Sequence, residues 1–204
     1  MKKAYMGILA AVAGIAITAL LTSGIMASAA SLVFEANDVT ISSDDGRIEY
    51  ATISPRGTFS WQGVDVDVNF DGDDRIVYEI YVSLNGGEWG LLWSGIQTNW
   101  QNIEDMGTTG FDKFTMGPIE LRKPGVIAYW QMEADEDGST KVSKIRVKLV
   151  ATLQTSDVVD GVTKWRDLVS ASNTATFTLT CTNEKAIGSI GGNVNVAAKA
   201  TDDT

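Results

Sequence analysis

The sequence predicts an all-β fold: a single antiparallel β-sandwich of about eight or nine strands, preceded by an N-terminal hydrophobic helix. Three observations lead to this prediction. Apolar and polar residues alternate with a period of two over much of the chain after residue 30. Turn-forming sequences separate the alternating segments at intervals of roughly 8–15 residues. No segment rich in Pro or Ser divides the chain, so one domain with one hydrophobic core is expected.

The N-terminal segment carries no charge between Lys3 and Glu35. Its basic start, apolar centre and Ala27-Ser28-Ala29 ending predict a secretory signal peptide, residues 1–29, that is cleaved after Ala29. Two alternatives stay open. The segment exceeds the roughly 20 residues that span a bilayer, so it can remain as an anchor. It also resembles a type IV pilin helix cleaved near Gly7, although no basic residue directly precedes that glycine. All three place the remaining chain outside the cell or on its surface.

The exported part is acidic. The whole chain has a net charge of −10, and removal of Lys2 and Lys3 with the signal segment takes it to about −12. This charge disfavours nucleic acid as a partner, and contact with a membrane is expected only through residues 1–30 if they are not cleaved. The single Cys181 cannot form an internal disulfide. It shares a strand face with Phe177 and Leu179, which predicts a small buried core residue.

The strands can be placed in chain order. Alternation is clearest over Trp61–Phe70 and again over Arg75–Leu84, and the acidic turn sequence between them predicts a β-hairpin. Asn85-Gly86-Gly87 then turns the chain into Trp89–Trp93. One brief helix is predicted at Thr98–Asp105. Further strands are predicted at Phe34–Val39, Arg47–Ile53, Phe114–Leu121, Val126–Met132, Val142–Leu153 and Thr174–Thr182.

The Trp61 strand, followed by Tyr78-Glu79-Ile80-Tyr81-Val82, resembles the second and third strands of fibronectin type III and related immunoglobulin-like domains. The resemblance covers roughly residues 50–95 and implies an immunoglobulin-like sandwich in which Trp61 and Tyr78 pack across the core. We expect this domain to span residues 30–185. The Gly-rich tail, residues 186–204, is either a last edge strand or an arm that pairs with a neighbouring molecule.

The sequence offers little to catalysis. The chain has no histidine, which excludes Ser-His-Asp and Cys-His nucleophilic systems, and one cysteine cannot form a cysteine-based metal cluster. Neither a P-loop nor a G-x-G-x-x-G turn after a strand is present. Most acidic residues fall on strand exteriors and turns, where a carboxyl group stays ionised. A function other than catalysis is therefore expected.

One sequence motif suggests a metal ion. Asp67-x-Asn69-x-Asp71-Gly72 matches the first half of a calcium loop, and Asp73 adds another carboxylate. Position 12 of the loop is Tyr78, where a bidentate glutamate is required, and strand alternation before an acidic turn gives the same letters without a metal. A second acidic turn, Glu133–Gly138, can complete a weaker site if the fold brings the two together. Calcium is the only cofactor that the sequence suggests.

Tryptophans suggest a second kind of site. Trp89, Trp93 and Trp100 lie in a region rich in Gly, Asn and Gln. Exposed tryptophans beside amide side chains stack on sugar rings in carbohydrate-binding modules, whereas buried tryptophans simply fill a core. The alternation of Trp89, Leu91 and Trp93 indicates that one of the two faces of this segment points inward.

The expected function follows from export, the sandwich and the lack of catalytic motifs. The chain resembles, in plan and composition, small acidic cysteine-poor surface proteins of archaea. The resemblance implies an extracellular structural subunit that self-assembles into, or decorates, a surface filament or envelope layer. Strand donation by Leu32-Val33-Phe34, or by the Gly-rich tail, is the specific form expected. Alternatives are an adhesin or carbohydrate-binding module, and a membrane-anchored accessory protein of a filament. Homo-oligomers are the expected partners, with other surface proteins or glycans as further candidates.

Overall fold

The computed structural model describes residues 28–35, 39–44, 47–64, 74–97, 103–105, 108–134, 139–185, 192–194 and 199–202. Strands dominate these ranges, and the only helical element in them is a 3₁₀ turn at Tyr129–Gln131. The all-β prediction is confirmed. Within the same ranges no helix has the length and hydropathy to span a bilayer. The hydrophobic segment of residues 1–27 lies outside the described residues.

The described residues form thirteen strands, more than the eight or nine predicted. Their bounds are β1 Ala29–Glu35, β2 Val39–Asp44, β3 Arg47–Ile53, β4 Arg56–Gln62, β5 Asp74–Leu84, β6 Gly90–Ile96, β7 Ile103–Asp105, β8 Thr109–Thr115, β9 Ile119–Glu120, β10 Thr140–Val159, β11 Val162–Lys185, β12 Gly192–Val194 and β13 Lys199–Asp202.

These strands form three antiparallel sheets. The first sheet has the order β1-β4-β8-β7, the second β12-β11-β10-β5-β6 with β13 also on β11, and the third β2-β3-β9. The second sheet is built around the β10–β11 hairpin, whose register runs from Thr140 opposite Thr182 to Val159 opposite Val162. Strand β5 pairs with β10 from Leu84 opposite Ile145 to Asp74 opposite Thr155.

Alternation along β5 and β10 supplies much of the core. On β5, Ile76 and Ile80 are fully buried, and on β10 so are Ile145 and Leu149, while the residues directly next to each of them face the other way. These side chains belong to one hydrophobic cluster with the inward residues of β1, β3, β4 and β8. The three sheets therefore share one hydrophobic core among the described residues.

The first and second sheets meet through Tyr78 and Phe114. Tyr78 of β5 and Phe114 of β8 have ring centroids 4.9 Å apart, and the Tyr78 hydroxyl donates to Asp112 Oδ2 at 2.6 Å. The third sheet is tied in by Tyr129. Its hydroxyl accepts from the backbone amide of Ala51 at 2.9 Å and donates to Glu120 Oε1 at 2.7 Å.

The predicted hairpin between Trp61–Phe70 and Arg75–Leu84 is wrong over the described residues. The described part of the first segment, β4, pairs with β1 and β8. Strand β5 already has β10 along one edge and β6 along the other, so neither edge is left for a hairpin partner over most of its length. Alternation identified β5 correctly, whereas β4 overlaps the predicted strand Trp61–Phe70 only at Trp61 and Gln62 among the described residues. Alternation also cannot identify the partner of a strand.

Three shorter predictions are also wrong. The segment predicted as a helix at Thr98–Asp105 contains strand β7 in its described part. The strand predicted at Phe114–Leu121 is two strands, because the chain leaves β8 after Thr115 and β9 begins at Ile119. Val126–Met132 is no strand: a turn through Gly125 at φ 78° leads into the 3₁₀ turn, and the Tyr129 hydrogen bonds hold that turn in place.

Other sequence predictions match the structure. Arg47–Ile53 is strand β3, and Val142–Leu153 and Thr174–Thr182 lie within the longer β10 and β11. Cys181 is buried with Phe177 and Leu179, each 1% exposed, as their shared face predicts. In the Gly-rich tail, β12 and β13 both pair with β11 of the same chain.

Candidate functional site

Strand β1 carries the residues predicted to mediate assembly. It pairs antiparallel with β4, which places Phe34 opposite Gly57. Leu32 and Phe34 point into the core at 7% and 8% exposure, whereas Val33 points outward at 58%. A Cβ at Gly57 would lie 2.1 Å from the Val33 carbonyl oxygen, so only glycine lets the two strands approach this closely. Leu32-Val33-Phe34 therefore lies on a strand that two buried side chains anchor. We call the narrow space beside Gly57, which holds the backbone of residues 33 and 34, the groove.

The other side of β1 faces β11. Asn173 Nδ2 donates to the carbonyl oxygen of Leu32 at 3.1 Å. This side-chain hydrogen bond joins the first sheet to the second where β1 has no strand partner on that edge among the described residues. Strand β1 is thus an edge strand that its ladder with β4, two buried side chains and the Asn173 hydrogen bond hold in its own chain.

A projecting hairpin is the feature that the sequence analysis missed. Strand β5 accompanies β10 only as far as Thr155. Beyond that point β10 and β11 continue alone among the described residues, and we call residues 156–165 the arm. Its tip is Asp160-Gly161, with φ values of 55° and 75°, the left-handed pair that a two-residue hairpin turn requires.

The arm tip exposes apolar side chains among charged ones, since Asp160 forms its turn and Asp157 and Lys164 lie close to it in the sequence. Val158, Val159 and Val162 surround the turn at 72%, 41% and 59% exposure. The ion pair between Arg166 and Asp157 spans 3.7 Å and is well exposed on both sides, so it contributes little to stability. Three exposed valines on a narrow two-stranded projection mark a surface suited to contact with another molecule.

The base of the arm is held more firmly. Arg75 of β5 lies over the Trp165 ring with its Cζ 3.7 Å from the centroid, and its Nε donates to Gln154 Oε1 at 2.8 Å. Gln154 Nε2 in turn donates to Asp167 Oδ1 at 2.7 Å. The arm therefore leaves the sheet from a fixed base, which gives the tip a defined position relative to the domain.

The tryptophans predicted to bind a ligand separate into different environments. Trp93 packs against the core, and its ring lies over Gly95, where a Cβ would be 2.3 Å from it. A register shift between β5 and β6 allows Leu92 to be buried as well, so both Leu92 and Trp93 lie toward the core. Trp93 is therefore mainly a structural residue, and Trp100 lies outside the described residues.

Trp89 lies on the opposite, outward face of the second sheet. The turn that presents it, Asn85-Gly86, has φ values of 51° and 81° and is docked on β10. The Asn85 amide donates to the Lys144 carbonyl at 2.7 Å, and the Lys144 amide donates to Asn85 Oδ1 at 2.8 Å. These bonds fix the loop that carries Trp89 before any ligand arrives.

Two cations of β10 surround the Trp89 ring. Arg146 Cζ lies 4.8 Å and Lys148 Nζ 4.9 Å from its centroid, and Lys148 Nζ is also 4.9 Å from the Tyr81 centroid. Arg146 Nη2 donates to the buried Ser83 Oγ at 2.9 Å, and Ser83 donates onward to the Gly87 carbonyl at 2.6 Å. The structure thus brings together aromatic rings, hydroxyl groups and two positive charges, of which the sequence analysis identified only the tryptophan.

No protein-family model matches the chain, and no curated protein or solved structure matches it either.

The calcium candidates Asp67, Asn69, Asp71 and Asp73 lie outside the described residues, so that site stays a prediction. Of the second acidic turn, Glu133 is described, and its Oε1 accepts from the Ile48 amide at 2.8 Å. In the part of the chain that the structure describes, no three His, Cys, Asp or Glu side chains cluster as metal ligands.

A buried carboxyl group was not anticipated. Asp112 of β8 is 0% exposed, and its oxygens accept from the Tyr78 hydroxyl and from Gln97 Nε2 at 3.0 and 3.2 Å. Burial raises the pKa of Asp112, while the two hydrogen bonds oppose the rise. Asp112 lies two residues before Phe114, on the same inward face of β8. This spacing is the feature of the sequence from which the burial of Asp112 could have been predicted. The contacts give it a structural role between sheets.

The lone thiol is also internal. Cys181 is a free, buried cysteine, and burial raises its pKa above the ordinary value. A thiol with a raised pKa has little thiolate at neutral pH, which makes it a weak nucleophile. Cys181 therefore acts as a small apolar residue of the core.

Proposed function

We propose that this chain is an extracellular structural subunit that self-assembles into a surface filament or envelope layer. The observation that carries the proposal is the arm with its three exposed valines. A two-stranded hairpin is marginally stable in water by itself, and an apolar tip gains stability only when another surface covers it. We propose that this surface belongs to a second copy of the chain.

An exposed apolar residue at the opposite end of the same strands supports a head-to-tail contact. Val142, near the start of β10, is 60% exposed. Joining unlike ends of a subunit produces a ring or an open filament, whereas joining like ends stops at a dimer. Placement of apolar groups at both ends of the β10–β11 hairpin therefore favours a polymer.

Strand donation is the more specific form of the proposal. Strand β1 begins at the predicted cleavage site, and as an edge strand it is able to leave without threading through the domain. The groove that Gly57 keeps open accepts the backbone of residues 33 and 34. In an assembly the same groove would accept β1 of a neighbouring subunit. A strand exchanged between identical copies makes the same contacts that it makes within its own chain.

We also propose an immunoglobulin-like fold for this domain. An immunoglobulin-like sandwich is supported by Trp61 and Tyr78, which lie on different sheets and in the same core cluster. Like the archaeal surface proteins that it resembles in plan, the chain would carry this domain after a signal segment, residues 1–29. The mass of the native protein tests the segment. A mass beginning at Ala30 supports cleavage, and one that includes residues 1–29 supports an anchor.

Assembly is tested by sedimentation velocity and electron microscopy of the mature protein across protein and salt concentrations. We expect polymers whose amount rises with protein concentration. The double variant V158T/V162T should shift the equilibrium toward the monomer, because the tip loses apolar contact area. The control variant I96T changes an equally accessible side chain, 50% exposed on β6, and should assemble normally. A mature protein that stays monomeric throughout would overturn the proposal.

Donation is tested separately by deleting residues 30–40. The deletion variant should lose stability and recover it when a synthetic peptide of residues 29–40 is added, because the open groove accepts the strand from solution. The control peptide replaces Leu32 and Phe34 with Ser and should not restore stability. Failure of the native peptide to bind would show that β1 is only a strand of its own domain, and would leave assembly through the arm unaffected.

A further inference from the structure

The outward face of the second sheet carries a positively charged cluster in an acidic protein. The cluster consists of Trp89, Tyr81, Ser83, Arg146 and Lys148, and we call it the Trp89 cluster. Arg146 and Lys148 lie two residues apart on β10, so both side chains leave the same face of the strand. Each lies within 5 Å of the Trp89 centroid, which places the two charges no more than about 10 Å apart.

The cations of the cluster have no carboxylate partner among the described residues. Arg146 interacts with Ser83 and Trp89, and Lys148 with Tyr81 and Trp89. Glu79, the acidic residue nearest along this face of β5, accepts from the Tyr81 hydroxyl at 3.1 Å. Two neighbouring positive charges repel each other, and a bound anion relieves that repulsion. In a chain with 26 acidic and 16 basic residues, such an unneutralised pair is notable.

The cluster is organised before any ligand binds. Ser83 is 1% exposed and fixes the Arg146 guanidinium, while the Asn85-Gly86 turn docks on β10 next to it. Arg146 Nε is buried without a hydrogen-bond partner in the described part of the chain. A fixed guanidinium binds a carboxylate or sulfate through paired hydrogen bonds, and preorganisation lowers the entropic cost of that binding.

The aromatic rings specify what carries the anion. Trp89 and Tyr81 are both half-buried, and the two cations lie over their rings, so a ligand held by the cations lies next to the rings as well. Aromatic rings of this kind pack against the C–H faces of pyranose sugars. A free inorganic ion would use the cations but leave the rings without a role. We propose that the Trp89 cluster binds an acidic saccharide, a pyranose that carries a carboxylate or a sulfate ester.

This site is separate from the arm. It lies around the Asn85-Gly86 turn, whereas the arm begins after Thr155, ten or so residues farther along β10 than Arg146. Val142, at the other end of the proposed contact, precedes Arg146 by four residues on the same face of β10. A subunit of a surface layer would thereby hold an acidic glycan away from the arm that joins it to its neighbour.

Calorimetric titration of the mature protein tests the site with three oligosaccharides of equal length. Hexagalacturonate carries carboxylates, a sulfated galactan hexasaccharide carries sulfate esters, and maltohexaose is neutral. We expect binding of at least one of the two acidic probes, weakening as salt is raised, and no binding of maltohexaose. The acidic probe that binds more tightly identifies the anion. Binding of neither acidic probe, or equal binding of maltohexaose, overturns the proposal.

Variants then locate the site. R146Q, K148Q and W89A should each weaken binding of the acidic probe by about tenfold or more, and R146K should weaken it too because lysine lacks the planar fork. The matched control is K113Q, which removes a lysine that also lies over an aromatic ring, Phe111 at 5.3 Å, on the first sheet. Thermal melting confirms that each variant is folded. Equal weakening of binding by K113Q and K148Q would show that binding depends only on the net charge of the protein, and would contradict the proposal. Inorganic sulfate binding as tightly as the saccharide would also contradict it.

Discussion

Residues 140–155 and 156–165 lie on the same hairpin and differ in what covers them. In the first stretch β10 pairs with β11 throughout and with β5 from Ile145 onwards, and Val147 and Leu149 are fully buried. In the arm, β10 and β11 pair only with each other among the described residues, and Val158 is 72% exposed. Valine thus contributes to the core in one part of the hairpin and to an exposed surface in the other. Whether a valine is buried in the core or exposed therefore depends on which strands pair with its own strand at that point.

The largest predicted effect compares valines on the two parts of β10. V147A should lower the free energy of unfolding by about 2–3 kcal/mol because it leaves a cavity in a packed core. V158A should change it by less than about 0.5 kcal/mol, since its side chain is exposed in the monomer. Chemical denaturation at low protein concentration measures both. Similar losses in the two variants would mean that the arm is packed inside its own domain.

The next effect concerns the hydrogen bond that joins the second sheet to the first. Y78F removes the hydrogen bond from Tyr78 to the buried Asp112 and should cost about 1–3 kcal/mol of unfolding free energy. The control is Y81F on the same strand, whose hydroxyl binds Glu79 on the outward face and should cost less than about 1 kcal/mol. Urea denaturation of the two variants decides. A smaller loss for Y78F than for Y81F would show that the buried pair does not join the sheets.

A third prediction uses two turns with the same backbone conformation. Gly86 and Gly161 have φ values of 81° and 75°, and an added Cβ meets no atom within 4 Å at either position. Alanine in this conformation costs roughly 1–2 kcal/mol. G86A should show that cost in global unfolding, because its turn is docked on β10. G161A should show it as faster amide exchange in the arm alone, with little change in global stability. The reverse pattern would show that the arm tip is the more tightly coupled turn.

The smallest predicted effect is a pH dependence of stability at Asp112. Burial raises its folded-state pKa above the unfolded value of about 3.9, so the folded state binds the proton more tightly. Its contribution is therefore fully present below pH 3.9 and is lost as the pH rises through the raised pKa. The stability of the wild type relative to D112N should fall over this interval and then level off. A difference that is constant over that pH interval would contradict a raised pKa.

The sequence predicted the parts of the fold that depend on local pattern. Alternation identified β3, β5 and the buried stretch of β10, and it placed Cys181 inside. It failed where partner choice matters: β5 pairs with β10 rather than with its predicted neighbour in the chain, a contact that no local signal encodes. The continuation of β10 and β11 was missed because Thr, Ser and Asn occupy much of residues 154–174. The Asp160-Gly161 dipeptide between valines was nevertheless a readable hairpin signal.

The candidate sites show the same limit. Trp89 was identified from its neighbours in the sequence, but Arg146 and Lys148 lie more than 50 residues away and meet it only through strand pairing. Leu32 and Phe34 were identified as apolar residues of the mature N-terminus. Their burial against β4 depends on Gly57, whose missing side chain carries no signal until the pairing is known.

The central claim, that a second copy covers the arm, is tested most directly by hydrogen exchange at two protein concentrations. In dilute mature protein the amides of residues 156–165 should exchange much faster than those of residues 145–153. At concentrations where the protein assembles, the arm amides should become protected while those of residues 145–153 change little. Protection of the arm that does not depend on concentration, or an arm that stays unprotected in assembled material, would contradict the account.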